Sequence, residues 1–306
     1  MKILIPGGTG LLGTPLSAEL ARQGHQVWVL SRNPGRTAAP AGVALAQWDA
    51  RTPQGWEALV EEADAIVNLA GENIGAGRWT AERKERILQS RVEAGQAITA
   101  AVRAARHKPA VLIQASGIGA YGARGDEWLD EATAPVSDFQ AGICADWEAS
   151  TREVEEAGLR RVVVRTGLVM TRSGGWMAPL TLAFRLFAGG PFGSGRQWWS
   201  WVHLDDYIRG IIYFLEQGST KGVYNLAAPE PARMAEFGRE LAKVLHRPYW
   251  LPTPAFAMRL LLGEMSVLVL EGQRVSSQRL LTSGFAYQYP LLRPALENLF
   301  GSATDL

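Results

Sequence analysis

The feature that most constrains this chain is a run of glycines, Gly7-Gly8-Thr9-Gly10-Leu11-Leu12-Gly13. It follows the apolar stretch Lys2–Pro6 directly and opens a helical pattern. Within Leu11–Gln23, Leu12, Leu16 and Leu20 fall on one face, the spacing of an amphipathic helix. Strand, glycine turn and helix in succession predict a phosphate cradle. Gly7 permits the tight turn, Gly10 lets a pyrophosphate approach the backbone, and Gly13 lets helix and strand pack closely. The helix N-terminus adds a preference for negative charge. Glycine is common here, 33 of 306 residues, so the motif draws its force from its strand–turn–helix context. The expected cofactor contacts are Gly7, Thr9, Gly10, Leu11, Leu12 and Gly13.

The end of the second strand bears on which nucleotide fits. An NAD site offers Asp or Glu to the ribose hydroxyls about 20 residues past the glycines. Here the run His25–Leu30 ends in Leu30-Ser31-Arg32, with no carboxylate. A hydroxyl beside a guanidinium suits a 2′-phosphate, so Ser31 and Arg32, with Arg36 close by, predict NADP rather than NAD. Asp49, after the third strand, is placed either to accept from an adenine amine or to close an ordinary turn. Asn68-Leu69-Ala70-Gly71 ends the fourth strand with small residues, where a backbone must lie close to the cofactor.

The first two-thirds of the chain alternates strand and helix. Val43–Gln47, Ala65–Leu69, Val111–Ser116 and Arg161–Thr166 read as strands, and Thr80–Arg106 and most of Val136–Glu156 as helices. Such repeats predict an α/β fold, a parallel sheet with helices on both faces. After Gly174 the rhythm changes. His203–Glu216, Met234–His246 and Ala255–Leu262 read as helices, with a strand at Gly222–Leu226. The expected division is an NADP-binding domain over 1–173, to which 203–228 returns. A smaller, mainly helical substrate-side region then takes 174–202 and 229–306.

Charge and cysteine usage narrow the partners. With 31 basic and 30 acidic side chains, the chain carries no electrostatic footprint for nucleic acid or an anionic membrane. The apolar stretch Ala255–Leu270 is broken by Arg259 and Glu264, short of the ~20 uninterrupted residues a span needs. Lys2–Pro6 is too brief for a secretory signal, and the single Cys144 fits a reducing cytoplasm. The four histidines, 25, 107, 203 and 246, are scattered, so no metal site is expected. The expectation is a cytoplasmic protein with a small-molecule substrate, with a homodimer left open.

The glycine motif, Asn68-Leu69-Ala70-Gly71, Ser116 with Tyr121-Gly122, and Trp201-Val202-His203-Leu204-Asp205-Asp206 together resemble the extended short-chain dehydrogenase/reductases, the NAD-dependent epimerase/dehydratase superfamily. Narrower segments are similar to its YfcH-like branch. These are Glu72-Asn73-Ile74 to Arg78-Trp79, Gln89-Ser90-Arg91, Cys144-Ala145-Asp146-Trp147-Glu148, Gly193 to Gln197, and Gly263 to Leu270 with Gln273-Arg274. The resemblance spans nearly the whole chain and implies a Rossmann doubly wound domain binding NADP or NAD, with a small C-terminal domain over a substrate cleft. Along that cleft it adds Leu69, Ala70, Gly71, Glu72, Ser90, Ser116 and Thr166 to the expected cofactor contacts.

One departure matters more than the likeness. The superfamily works with a Tyr-x-x-x-Lys pair, in which the ammonium lowers the phenol pKa so that it can shuttle a proton. None of the seven tyrosines here has Lys four positions later; where the pair belongs, Cys144 takes the Tyr place and Glu148 the Lys place. Four apart on one helix, they share a face. A thiol's reference pKa of ~8.5 is nearer neutrality than a phenol's ~10. Yet a neighbouring carboxylate raises it, so Glu148 does not replace Lys electrostatically. The residues leave two readings of the pair: a catalytic one, and a packed Cys144 beside an ion-paired Glu148. Tyr121 and Ser116 stand as fallback acid and orienter. A second departure is Trp199, which stands where sugar-nucleotide epimerases use an Arg for the diphosphate. It reads either as a stacking surface or as core. His203, with Asp205 and Asp206, reads as a structural strand-to-helix junction ahead of a catalytic one. The expected function is an NADP-dependent oxidoreductase on a small substrate. The rivals are a catalytically quiet NADP-binding sensor and a nucleotide-sugar epimerase.

Overall fold

A computed structural model describes residues 1–172 and 174–301. The first part of the chain runs β1 (Lys2–Pro6), α1 (Gly13–Arg22), β2 (Gln26–Ser31), β3 (Val43–Gln47), α2 (Glu57–Glu62), β4 (Ala65–Asn68) and α3 (Ala81–Ala104). It continues through β5 (Val111–Gly117), β6 (Trp128–Leu129), α4 (Phe139–Ala149), β7 (Arg160–Thr166) and β8 (Leu168–Met170). Seven strands form one sheet in the order β11-β7-β5-β4-β1-β2-β3, where β11 is Gly222–Leu226. All of its neighbouring pairs are parallel. This is the Rossmann-like doubly wound sheet expected.

The side chains explain why helices cover both faces. Successive residues of a strand point to opposite sides. Ile3 and Ile5 accordingly pack with Leu16 and Leu20 of α1 and with Ile208, Ile211 and Phe214 of α6 (Leu204–Glu216). Leu4, between them, points the other way, toward Val60 of α2 and Ala94, Ile98 and Val102 of α3. Strands buried on both faces read as continuous apolar runs, as Ile3-Leu4-Ile5 does.

The chain leaves β1 toward β2 and β3, then returns to place β4 on the other side of β1. The reversal opens a crevice at the carboxyl ends of β1 and β4, the place where ligands enter sheets of this kind. The two strand ends approach closely there. A Cβ on Gly7, whose φ is +81°, would lie 2.5 Å from the Leu69 carbonyl carbon.

The rest of the chain adds α5 (Met177–Arg185), β9 (Trp198–Trp199), β10 (Trp201–His203), β12 (Ala232–Arg233), α7 (Met234–Val244), α8 (Ala255–Leu262), α9 (Val267–Leu270), β13 (Arg274–Val275), α10 (Gln278–Thr282) and α11 (Leu292–Phe300). Met177, Phe184, Trp199, Trp201, Phe237, Leu241, Leu296 and Phe300 form a second core. The junction with α6 is built from polar groups. His203 Nδ1 accepts the Asp205 N–H at 3.1 Å and caps the helix, and the buried Asp206 accepts the N–H groups of Gln288 (2.7 Å) and Tyr289 (2.8 Å). Burial pushes the His203 pKa down and that of Asp206 up. No helix among the described residues is long and apolar enough to cross a membrane.

Candidate functional site

The glycine loop offers an accessible backbone. Thr9, Gly10 and Leu11 are exposed, Gly7 and Leu12 are half-buried, and Gly8 and Gly13 are buried against the strand. A Cβ on Gly10 would meet only the Gly7 carbonyl oxygen, at 3.3 Å, whereas one on Gly13 would strike Gly8 at 2.5 Å. The space over Gly10 is therefore open while Gly13 serves packing, a division of labour that suits a pyrophosphate seated at the N-terminus of α1.

At the end of β2 the two predicted contacts part company. Arg32 is exposed. Ser31 is buried, and its hydroxyl accepts the Asn33 N–H and meets Thr37 Oγ1, both at 3.2 Å. The serine thus shapes the loop that presents Arg32 and the exposed Arg36 to solvent. Asp49, exposed after β3, closes a turn. Its Oδ1 accepts the Arg51 and Thr52 N–H groups at 2.8 Å, and Oδ2 accepts the Thr52 hydroxyl at 2.8 Å. Those backbone bonds hold its pKa below the usual carboxylate value.

The end of β4 is fixed from beneath. Asn68 and Gln114 are register partners and share a buried hydrogen bond of 2.9 Å, while Asn68 Oδ1 accepts the Ala70 N–H at 3.1 Å. Leu69 is half-buried, Ala70 buried and Gly71 exposed. Ser90 Oγ accepts the Glu72 N–H at 2.9 Å, and the Glu72 carboxylate pairs with Arg83 at 3.0 Å and Arg86 at 3.6 Å. Ser90 and Glu72 therefore anchor the loop leaving β4 to α3.

The altered dyad lies on α4, where Asp138 caps the helix by accepting the Ala141 N–H at 2.8 Å. Cys144 and Glu148 do share a face, and that face meets the end of β5. Cys144 Sγ lies 3.6 Å from the Gly117 carbonyl oxygen, and Glu148 Oε1 accepts the Ser116 hydroxyl at 2.7 Å. Burial first, and then the charge of Glu148, push the Cys144 thiol above its ordinary pKa. Sheet register supplies the group that sequence reasoning missed. Ser116 on β5, Arg165 on β7 and Asn225 on β11 are successive neighbours in one row across the sheet. Arg165 clamps Glu148 with two hydrogen bonds, Nε to Oε1 at 2.8 Å and Nη2 to Oε2 at 3.0 Å. Burial disfavours the Arg165 cation, but its bonds to Glu148 more than offset this and leave its pKa raised. An Arg and a Ser, each at the penultimate position of its strand, were the one signal available.

Tyr121 needs correcting as a fallback acid. It is fully buried, donates its hydroxyl to Asn225 Oδ1 at 2.7 Å, and lays its ring 5.0 Å from the Arg165 guanidinium. Burial raises the pKa of that phenol, and its one proton is committed to Asn225 while its ring packs on Arg165. Thr166, half-buried at the end of β7, turns its hydroxyl toward the Val164 carbonyl at 3.4 Å. Trp199 resolves to core, 3% exposed and packed edge-on against Trp176 and Phe237. Over the α3–α4 pair lies the C-terminal region. Met265, Val267 and Leu268 pack on Trp79, Ile87 and Ile143, Arg78 donates to the Leu261 carbonyl at 2.8 Å, and Lys84 pairs with Glu264.

Comparison with known proteins agrees with this geometry. Residues 3–227 match the NAD dependent epimerase/dehydratase family, and residues 253–299 match a domain of unknown function, DUF1731. The epimerase family protein YfhF of Bacillus subtilis is 38% identical over 302 residues, covering 98% of each chain. The chloroplastic SDR39U1 homolog of Arabidopsis thaliana is 36% identical over 304 residues, covering 97% of this chain and 86% of its own. Human epimerase family protein SDR39U1, crystallised with NADPH, superposes with a TM-score of 0.85 at 33% identity, covering 98% of this chain and 99% of its own. UDP-glucose 4-epimerase of Thermus thermophilus, in complex with NAD, reaches a TM-score of 0.76 at 20% identity over 99% of this chain and 100% of its own, a likeness of fold. From the glycine crevice to the helical C-terminal region, the chain belongs to the NAD dependent epimerase/dehydratase family, in the form that carries a DUF1731 domain.

Proposed function

We propose that this protein is an NADP(H)-dependent oxidoreductase on a small substrate, in which a clamped carboxylate replaces the usual phenol–ammonium pair. The observation that carries the reading is the Ser116–Glu148–Arg165 network at the carboxyl ends of β5 and β7. It joins a crevice whose nucleotide end fits NADP(H). Gly10 leaves room for the pyrophosphate, Arg32 stands at the end of β2 where no carboxylate competes, and the human relative was crystallised with NADPH. Leu69 to Gly71, Ser116 and Thr166 would line the path from the pyrophosphate to the nicotinamide.

A bound nicotinamide supplies or takes up a hydride; the proton is the protein's task. Ser116 donates its hydrogen to Glu148 and keeps its oxygen lone pairs for a donor in the crevice. A substrate hydroxyl can lose its proton through Ser116 to Glu148, which Arg165 holds in one geometry. Glu148 thus takes the proton-accepting part that a phenolate beside an ammonium takes in the usual pair. Buried and turned to the Gly117 carbonyl, Cys144 packs this face rather than exchanging protons. The epimerase alternative loses the cation expected for a diphosphate, because Trp199 is core.

The test is to screen small alcohols and carbonyl compounds for nucleotide-dependent turnover and then to compare Glu148→Gln and Cys144→Ala. The reading requires Glu148→Gln to lose about two decades or more of rate, the range of general acid–base catalysis, while Cys144→Ala stays within a few-fold. Equal activity of Glu148→Gln and wild type would overturn it. Binding of NADPH without any turnover would favour the sensor reading.

A further inference from the structure

Arg91, in the middle of α3, is 9% exposed and forms no ion pair among the described residues. Its guanidinium donates one hydrogen bond, Nη1 to the Ile87 carbonyl at 2.8 Å, and its buried Nε has no partner. On one side it lies over the Trp147 ring of α4 at 4.8 Å; on the other it fills the space left by the missing side chain of Gly71, where a Cβ would sit 3.0 Å from Cζ. The cation is thus lodged between the end of β4 and the helix that carries Cys144 and Glu148.

The Cys144 sulfur and the Glu72 carboxylate lend the cation some Coulombic support, but neither forms an ion pair with it. Glu72 is taken by Arg83 and Arg86, and Glu148 by Arg165. Burial lowers the Arg91 pKa to about 10, still well above neutral pH. An enclosed charge without a partner is costly, and the cation–π contact with Trp147 offsets only part of that. The pyrophosphate has its own cradle at the glycine loop of β1 and α1, on the opposite side of β4 from α4. We propose that Arg91 is the anion-binding residue of the substrate site and that the substrate class is small carboxylates. Guanidinium geometry matches the two oxygens of a carboxylate, and Arg91 packs against α4, the helix that also carries Glu148. The inference rests on the proposed oxidoreductase reading for the word substrate; the anion site itself does not depend on turnover.

The experiment uses the protein loaded with NADPH and follows thermal unfolding with sodium formate, acetate and benzoate, against sodium chloride at equal ionic strength. Arg91→Met, Arg91→Gln and wild type are compared, with NADPH affinity titrated in parallel for each. The expected result is a saturable rise in melting temperature with carboxylates beyond that with chloride, an apparent affinity at least tenfold weaker in both variants, and NADPH affinity unchanged within about threefold. Either variant suffices if the other fails to fold. Carboxylates that act no differently from chloride on wild type would overturn the proposal and leave the cofactor reading standing. So would NADPH affinity falling as far as carboxylate affinity, which would assign Arg91 to the cofactor phosphates. Should NADPH not bind at all, the oxidoreductase reading fails, and the same titration without nucleotide still decides the anion site.

Discussion

Replacing Arg165 by Met is the sharpest perturbation of the network. Arg165 is 6% exposed, and the Glu148 side chain is 14% exposed, so solvent can do little to replace the lost partner. The substitution removes both charge-assisted bonds, of 2.8 and 3.0 Å, and leaves Glu148 with the Ser116 hydroxyl alone. Removing one partner of a buried pair costs about 3–5 kcal/mol. An unfolding entropy of about 2.1 cal/mol/K per residue gives roughly 0.6 kcal/mol per degree for a chain of this size, so the melting temperature should fall by about 5–8 °C. Arg165→Lys, which keeps the charge but loses the fork, should fall in between. The double variant Arg165→Met/Glu148→Met should recover most of the loss, because it removes both charges. Calorimetry of the four proteins at neutral pH measures this. A single variant within 1 kcal/mol of wild type would refute the view that Glu148 depends on its clamp.

Other consequences follow from single contacts. Gly10→Val should abolish nucleotide binding and leave circular dichroism unchanged, because its side chain enters open space rather than the core; retained affinity in a folded variant would move the site elsewhere. Trp199→Ala should destabilise the protein by about 3–5 kcal/mol, as for other large core truncations, with nucleotide affinity intact; a parallel loss of binding would return Trp199 to the site. His203 has a folded pKa below its unfolded value near 6.5, so the folded state binds fewer protons. Its contribution is therefore present above about pH 6.5 and is lost as pH falls below that. His203→Asn, which keeps a capping side chain, should flatten stability against pH on the acid side of about 6.5. An unaltered acid-side slope would remove His203 from that transition.

The sheet was legible because its strands are apolar on both faces and long enough to show it. Val43–Gln47 and Gly222–Leu226 stand where the pattern put them. The two- and three-residue strands β6, β8, β9, β10, β12 and β13 offer no period to read. Within Val136–Glu156, expected to be mostly helix, α4 stops at Ala149 for a tertiary reason. Ser150 turns its hydroxyl back to the Trp147 carbonyl at 2.7 Å and packs on Gly95 of α3, while its carbonyl accepts from Thr99 at 2.9 Å. The site was half legible. The glycine loop and Arg32 announce their chemistry locally. Arg165 and Arg91 become meaningful only when register and helix packing bring them to Glu148 and Trp147 from distant parts of the chain. Tyr121 misled for the same reason, since nothing in Ser116 to Gly122 reveals that Asn225 lies over its hydroxyl.

The central claim is most directly tested by calorimetric titration of NADPH and NADH into the purified protein, repeated with Arg32→Ala. One charge-assisted contact to the 2′-phosphate is worth about 1.5–3 kcal/mol, so wild type should prefer NADPH by roughly one to two decades, and Arg32→Ala should bind the two alike. Equal affinities in wild type, or a preference that survives the loss of Arg32, would contradict the account.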